Sequence, residues 1–379
     1  MEKIHMIINN DYIFSRFVAL IEELQTMHHV RTKTIRVLRN RLPEWLQKFV
    51  FSWRNPLYAM LKVKRQCAPK YSMVYEGRGF ASGMHSLDFV HYCLTRDLSF
   101  NTADFFPEQD EAYIKEHVDN RIKYALSFPV QPMNPEQKKY FLQSEKFKSH
   151  IKKQGGHYVM KYEGEQYCLP ENHFSFAILN WHYGLKFLPE SVQNYIKGKD
   201  FLDIGAYIGD SALLFLKYGP KRIFAYEPVE DTYKKLYETL KLNGLTDIDV
   251  ICPVKKGLGD KRGFMEITNA GLGSTLLKSR HGAKETQNVE ISTIDDECKD
   301  KHIGLIKIDI EGFEYFAIKG GLETIKRDKP VLLISAYHTG RDFFEIPPML
   351  KACVPEYKFR LLDIEPFDTA VEKILVAYL

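Results

Sequence analysis

Asp203-Ile-Gly-Ala-Tyr-Ile-Gly209 lies between the apolar pair Phe201-Leu202 and the run Ser211-Ala-Leu-Leu-Phe-Leu216. A charged turn, Lys197-Gly-Lys-Asp200, comes just before. The order reads as a strand, a glycine turn and a helix. A sharp strand-to-helix turn needs glycine where φ is unusual or where backbone must lie against a neighbour, and Gly205 and Gly209 stand at those points. Ile223-Phe-Ala-Tyr-Glu227-Pro228 reads as a second strand ending in a carboxylate.

This spacing points to an adenosine-containing cofactor. Asp203 at the strand end is a candidate acceptor for an ammonium, and Glu227 for both ribose hydroxyls. The dinucleotide fingerprint is G-x-G-x-x-G, with a pyrophosphate on the helix N-terminus. Here the pattern is Asp-x-Gly-x-x-x-Gly, which lacks the glycine that admits a pyrophosphate. S-adenosylmethionine therefore fits better than a dinucleotide. The competing reading is an ordinary α/β turn that binds nothing. Ala206, Tyr207, Ser211 and Pro228 belong to the same candidate cofactor set, although Tyr207 reads equally as core, and Asp210 and Ser211 as helix caps.

The 379 residues allow two domains or one large one, and 45% hydrophobic content is ordinary for a globular protein. No run of eighteen or more apolar residues predicts a membrane span, and Met1-Glu-Lys-Ile-His-Met6 has no signal-peptide layout. The six cysteines are scattered without a C-x-x-C pair, which suggests reduced thiols, a cytoplasmic protein and no zinc site. Net charge is +4, but between Arg31 and Lys70 eleven Lys and Arg face a single acid, Glu44.

Residues 1–154 read as a mainly helical accessory region, with helices near Tyr12–Met27, Pro107–Leu126 and Gln137–Lys153, the last ended by Gly155-Gly156. A second domain, 155–379, opens with a hairpin around Glu163-Gly164-Glu165. Strands and helices then alternate: Phe201–Ile204, Arg222–Tyr226, Ile248–Cys252, Leu305–Asp309 and Val331–Ser335 as strands, and Asp210–Lys217, Val229–Asn243 and Glu314–Lys326 as helices. Lys358–Ile364 and Lys373–Leu379 form a closing hairpin. The pattern predicts a doubly wound, mostly parallel α/β sheet.

Three further stretches sharpen this: Leu305-Ile-Lys-Ile-Asp309-Ile-Glu311-Gly-Phe-Glu314; Lys319-Gly-Gly-Leu with Lys329-Pro-Val-Leu-Leu-Ile-Ser-Ala-Tyr-His338; and Gly257-Leu-Gly-Asp260 with Gly273-Ser274-Thr275. Together with Asp203–Gly209 and Glu227-Pro228 they resemble the FkbM family of S-adenosylmethionine-dependent methyltransferases, over roughly His157 to Leu379. The resemblance implies a class I, Rossmann-like fold with seven strands, the last antiparallel, and O-methylation of sugar or polyketide hydroxyls. It also places Ser274 and Thr275 near the acceptor. The family commonly carries a glutamate where this chain has Ser335.

An aliphatic hydroxyl must lose its proton as it attacks a methyl group, so a positioned base is expected. Asp309 and His338, each following a strand on the same sheet edge, are the candidates. Glu311 is placed to hold a sugar hydroxyl or to tune Asp309. Asp260, after the third strand, is a candidate for the adenine amino group, and Lys307 for pairing with a carboxylate. Plainer roles compete: Asp309 and Glu311 as caps of the following helix, His338 as a surface histidine. Asp309, Glu311 and His338 also offer a set that magnesium accepts, though no spacing demands it.

The basic window carries Trp45, Phe49, Phe51 and Trp53 beside Lys48 and Arg54. It reads as an interfacial helix on an anionic membrane, which would suit a lipid-linked glycan and peripheral attachment, or as a solvated face above a core stripe. Nucleic acid is the other polyanion it would suit, but no RNA-binding motif accompanies it. The remaining classes are a nucleic-acid methyltransferase and a non-catalytic module of a glycan-synthesis complex.

Overall fold

The computed structural model describes residues 6–26, 86, 89–125, 133–245, 250–268, 286–365 and 372–379. The basic window and Gly273-Ser274-Thr275 lie outside them. The chain divides into two units, one of residues 1–134, 338–344 and 368–371, the other of 135–337, 345–367 and 372–379.

In the first unit β1 (Ile7–Asn9) leads into α1 (Asn10–Thr26), and β2 (Ser99–Asn101) pairs antiparallel with β1. Next comes α2 (Glu108–Ala125). A two-pronged Arg16–Asp119 contact, 2.8 and 2.7 Å, ties α1 to α2. The returning segment 338–344 brings Phe343 and Phe344 against Phe89, with ring centroids 5.9 and 5.6 Å apart.

The second unit begins at Pro135, upstream of the boundary at 154/155 read from the sequence. Its first helix, α3, spans Pro135–Lys148 and stops short of Lys153, because β3 (Ile151–Gln154) pairs antiparallel with β4 (His157–Tyr162). Gly155-Gly156 forms the turn between those strands rather than a helix end. β5 (Glu165–Leu169) completes this small sheet. After α4 (Phe176–Trp181) the chain does something no periodicity announces: His182, Tyr183 and Gly184 are consecutive left-handed residues, φ 51, 54 and 95°. α5 (Glu190–Ile196) then delivers the chain to the main sheet.

That sheet comprises β6 (Asp200–Ile204), β7 (Arg222–Tyr226), β8 (Ile251–Val254), β12 (Ile303–Ile308), β13 (Val331–Ser335), β14 (Lys358–Asp363) and β15 (Lys373–Tyr378). Its seven strands run in the order β14-β15-β13-β12-β6-β7-β8. All contacts from β8 through to β13 are parallel, and β15 alone is antiparallel to both neighbours. This is the doubly wound seven-stranded α/β arrangement that the sequence implied. Every residue of β6, β12 and β13 is buried, as expected for parallel strands covered on both faces.

The helices between them are α6 (Asp210–Phe215), α7 (Glu230–Leu242), α8 (Ile294–Glu297), α9 (Glu314–Lys319), α10 (Leu322–Asp328) and α11 (Gly340–Cys353). The single helix expected over Glu314–Lys326 is broken at Gly320-Gly321. A Cβ on Gly320 would stand 2.0 Å from the Gly259 carbonyl oxygen, so two backbones meet there. Between β8 and β12 a further small sheet, β10 (Gly263–Thr268), β11 (Thr286–Ser292) and β9 (Gly257–Leu258), was not foreseen.

Candidate functional site

The C-terminal ends of β6, β7 and β12 converge. Gly205 has φ +79°, and a Cβ there would lie 1.9 Å from the Asp309 carbonyl oxygen. The Asp309 N–H donates to the Ile204 carbonyl, 3.0 Å away. Both Gly205 and Ala206 donate to the Tyr226 carbonyl at 3.0 Å. The glycine turn is thereby clamped between the ends of its two neighbouring strands, the crevice where α/β sheets of this kind bind ligands.

Asp203 is fully buried; Ser211 Oγ donates to its Oδ2 at 2.6 Å, and the Lys307 ammonium stands 3.2 Å from Oδ1 as an ion pair without hydrogen-bond geometry. Through these contacts its carboxylate joins strand, turn and helix. Lys307 also donates to the Gly205 carbonyl at 2.8 Å. Burial opposes the lysine charge, but Asp203, Asp309 and Asp210 outweigh it and hold the ammonium above its ordinary pKa. Ser211, read as either cap or cofactor residue, serves Asp203.

Glu227 is nearly buried at the end of β7. Its Oε1 accepts from Val229 N–H (2.9 Å) and Thr232 Oγ1 (2.8 Å), and its Oε2 from Tyr207 N–H (3.1 Å). A carboxylate offers about four acceptor directions, so one is left, on Oε2, where two ribose hydroxyls had been expected. Burial lifts the pKa to about 7 against the pull of these donors and of Lys307. Pro228, half-buried, turns the chain away after this strand.

Tyr207 sits at φ 49°, a strained value for a side-chain-bearing residue. Its hydroxyl donates to Glu171 at 2.8 Å, and its ring meets His173 edge-on with centroids 4.9 Å apart. Burial, then the Glu171 contact, pushes its pKa up. Asp210, at the first position of α6, is buried, with an Oδ2 that has no hydrogen-bond partner among the described residues. Asp260 pairs with Lys319 at 3.2 Å, an exposed contact worth little.

Asp309 lies half-buried just past β12. The Tyr183 hydroxyl donates to its Oδ2 at 3.0 Å and meets Ser335 Oγ at 2.5 Å. Ser335 thus replaces the acid commonly found there with a hydroxyl that bonds to a tyrosine. The Lys307 ammonium stands 5.5 Å from the centre of the Tyr183 ring. The N-cap of the following helix is Phe313, which makes no side-chain cap bond; Glu314, its first residue, instead braces the loop before it, its two oxygens accepting from Ile310 N–H (2.8 Å) and Gly312 N–H (2.9 Å). Glu311 is half-buried at φ 56°, a second strained residue beside the crevice. His338 is buried rather than a surface histidine, and it opens the segment that returns to the first unit.

Lys307, Tyr183 and Asp203 thus form one connected polar group that touches Asp309. Tyr183 was missed because nothing local marks it: 126 residues separate it from Asp309 and 152 from Ser335. His173 likewise gave no signal.

Residues 203–361 match the sequence profile of the Methyltransferase FkbM domain. No curated protein matches the chain. Among solved structures it resembles a methyltransferase FkbM from Methylobacillus flagellatus KT, at 19% identity and TM-score 0.40, over 68% of this chain and 65% of that one. It also resembles the tRNA (uracil-54, C5)-methyltransferase of Pyrococcus abyssi, at 13% identity and TM-score 0.33, over 59% of this chain and 43% of that one. A third is a SAM dependent methyltransferase from Agrobacterium tumefaciens, at 12% identity and TM-score 0.36, over 60% and 70%. The chain thus spans less than two thirds of the first two proteins, and these likenesses carry no functional weight. With the Asp203–Gly209 turn, Glu227 and Asp309 in their places on a seven-stranded sheet, the profile match identifies residues 203–361 as a Methyltransferase FkbM domain.

Proposed function

We propose that this chain transfers the methyl group of S-adenosylmethionine to a hydroxyl on a sugar or glycan. The observation that carries this reading is the contact between the glycine turn after β6 and Asp309 after β12. It sets a carboxylate beside the crevice in which the cofactor would lie. The residues fit the cofactor in two places. Glu227 keeps one acceptor direction on Oε2 for a ribose hydroxyl, and Asp210 Oδ2 is an acceptor with no partner among the described residues.

S-adenosylmethionine supplies an electrophilic methyl group on a sulfonium sulfur. The protein's work is then orientation and proton removal. An alcohol keeps its proton at neutral pH, so its attack is assisted by a base that takes the proton as the new bond forms. In this reading Asp309 accepts that proton at Oδ1, while Tyr183 holds Oδ2 and so fixes the plane of the carboxylate. Glu311 holds a neighbouring sugar hydroxyl, and Asp260 takes the adenine amino group. His338 is the second candidate base. The basic window 31–70 would bring the chain to an anionic lipid surface that displays a lipid-linked glycan.

The test is transfer of labelled methyl from S-adenosylmethionine to a panel of glycans, other hydroxyl compounds and RNA. Labelled glycan is expected, with turnover falling by roughly a hundredfold or more in Asp309→Asn while the cofactor still binds. Label confined to RNA would replace the acceptor class, and full turnover by Asp309→Asn would remove that residue as the base.

A further inference from the structure

The acidic residues near the glycine turn are differently occupied. Asp203 is spent on Ser211 and Lys307, and Glu227 on three donors. Asp210 is only partly engaged, by the Ser211 backbone N–H. It is 7% exposed, and its Oδ2 has no hydrogen-bond partner among the described residues. Native proteins rarely leave a buried acceptor unpaired, and an exception calls for a partner or a function. His173 Nε2 lies 3.9 Å from that oxygen, too far for a hydrogen bond. The His173 side chain is 29% exposed and rests edge-on against Tyr207, the strained residue at the centre of the turn. An acceptor and an imidazole thus stand side by side at the turn without satisfying each other.

An α-amino acid carries an ammonium and a carboxylate on one carbon, and such a pair complements this one. We infer that Asp210 and His173 hold the amino-acid end of the cofactor, Asp210 Oδ2 accepting from the ammonium and His173 donating a ring N–H to the carboxylate. This rests on the S-adenosylmethionine reading proposed above. It assigns the ammonium to Asp210 rather than to Asp203, whose carboxylate already meets Ser211 and Lys307. Asp203 keeps a structural role through Ser211 and Lys307.

The test compares two ligands on the full chain by calorimetry: S-adenosylhomocysteine, which has the amino-acid end, and 5′-methylthioadenosine, which lacks it. Asp210→Asn keeps the shape and removes the charge. It should weaken S-adenosylhomocysteine roughly ten- to a hundredfold, the span of a charge-assisted hydrogen bond, and leave methylthioadenosine within about twofold. His173→Gln should act in the same selective way, more weakly. Unchanged affinity for S-adenosylhomocysteine in Asp210→Asn overturns the inference. So does an equal loss for both ligands, which marks a general disturbance of the turn. A wild-type chain that binds neither ligand removes the cofactor reading itself, and the inference with it.

Discussion

Lowering the pH should loosen the hold on adenosine through Glu227. Burial raises this carboxyl from 4.5 to about 7 even though three donors and Lys307 favour its ionised form. A ribose hydroxyl donates best to the anion, so binding selects the ionised protein. With a pKa of about 7, roughly nine-tenths is ionised at pH 8 and roughly one-tenth at pH 6, and affinity should fall about tenfold between them. The probe is 5′-methylthioadenosine, because the α-amino group of the full cofactor itself titrates near pH 8. Calorimetry across that range checks it. Glu227→Gln should bind weakly, with a flat profile. A flat profile in the wild type, or a slope that survives in Glu227→Gln, refutes the reasoning. The sign for stability follows from the same carboxyl. A group of this kind whose pKa is raised on folding contributes nothing below about 4.5 and destabilises fully above about 7. The ligand-free protein should therefore lose up to about 3 kcal/mol between those limits, because each tenfold change in an acid constant is worth about 1.4 kcal/mol.

Three substitutions probe the rest of the site. Lys307→Met leaves Asp203 buried without its cation and should cost about 3–5 kcal/mol in urea unfolding; a loss under about 1 kcal/mol would show that the pair is not what secures the turn. Gly205→Ala puts a methyl group 1.9 Å from the Asp309 carbonyl oxygen at φ +79°, so the turn must move. We expect a loss of at least about 2 kcal/mol and of methylthioadenosine binding, and unaltered binding would contradict the clamp. Tyr183→Phe removes the donor to Asp309 and the partner of Ser335. It should cost about 1–3 kcal/mol and lower turnover while leaving cofactor affinity in place; the reverse pattern would detach Tyr183 from the acceptor side.

The parallel sheet was legible because two-sided burial writes continuous apolar runs such as Ile223–Tyr226 and Val331–Ile334, and because Gly205 and Gly209 punctuate the turn after Phe201–Ile204. Roles that depend on long-range pairing were not legible. The pairing of Asp203 with Lys307, on a different strand, is one such role. Tyr183 reaches Asp309 only because three successive left-handed residues redirect the chain, a conformation that His182 and Tyr183 do not advertise. The break in the helix after Glu314 follows from the approach of Gly259, again a tertiary cause. α11 contains Pro347 and Pro348, which propensity alone would have excluded from a helix interior.

The chain leaves the methyltransferase unit at His338 and rejoins it at Glu345, so no single cut in the sequence separates the two units. A fragment starting at Pro135 would retain all seven strands, yet it would carry Phe343 and Phe344 stripped of Phe89 and Phe100. Such a fragment would present sticky aromatic surface to its own copies. Soluble expression, limited proteolysis and any attempt to graft this domain onto another protein therefore require the amino-terminal unit to travel with it.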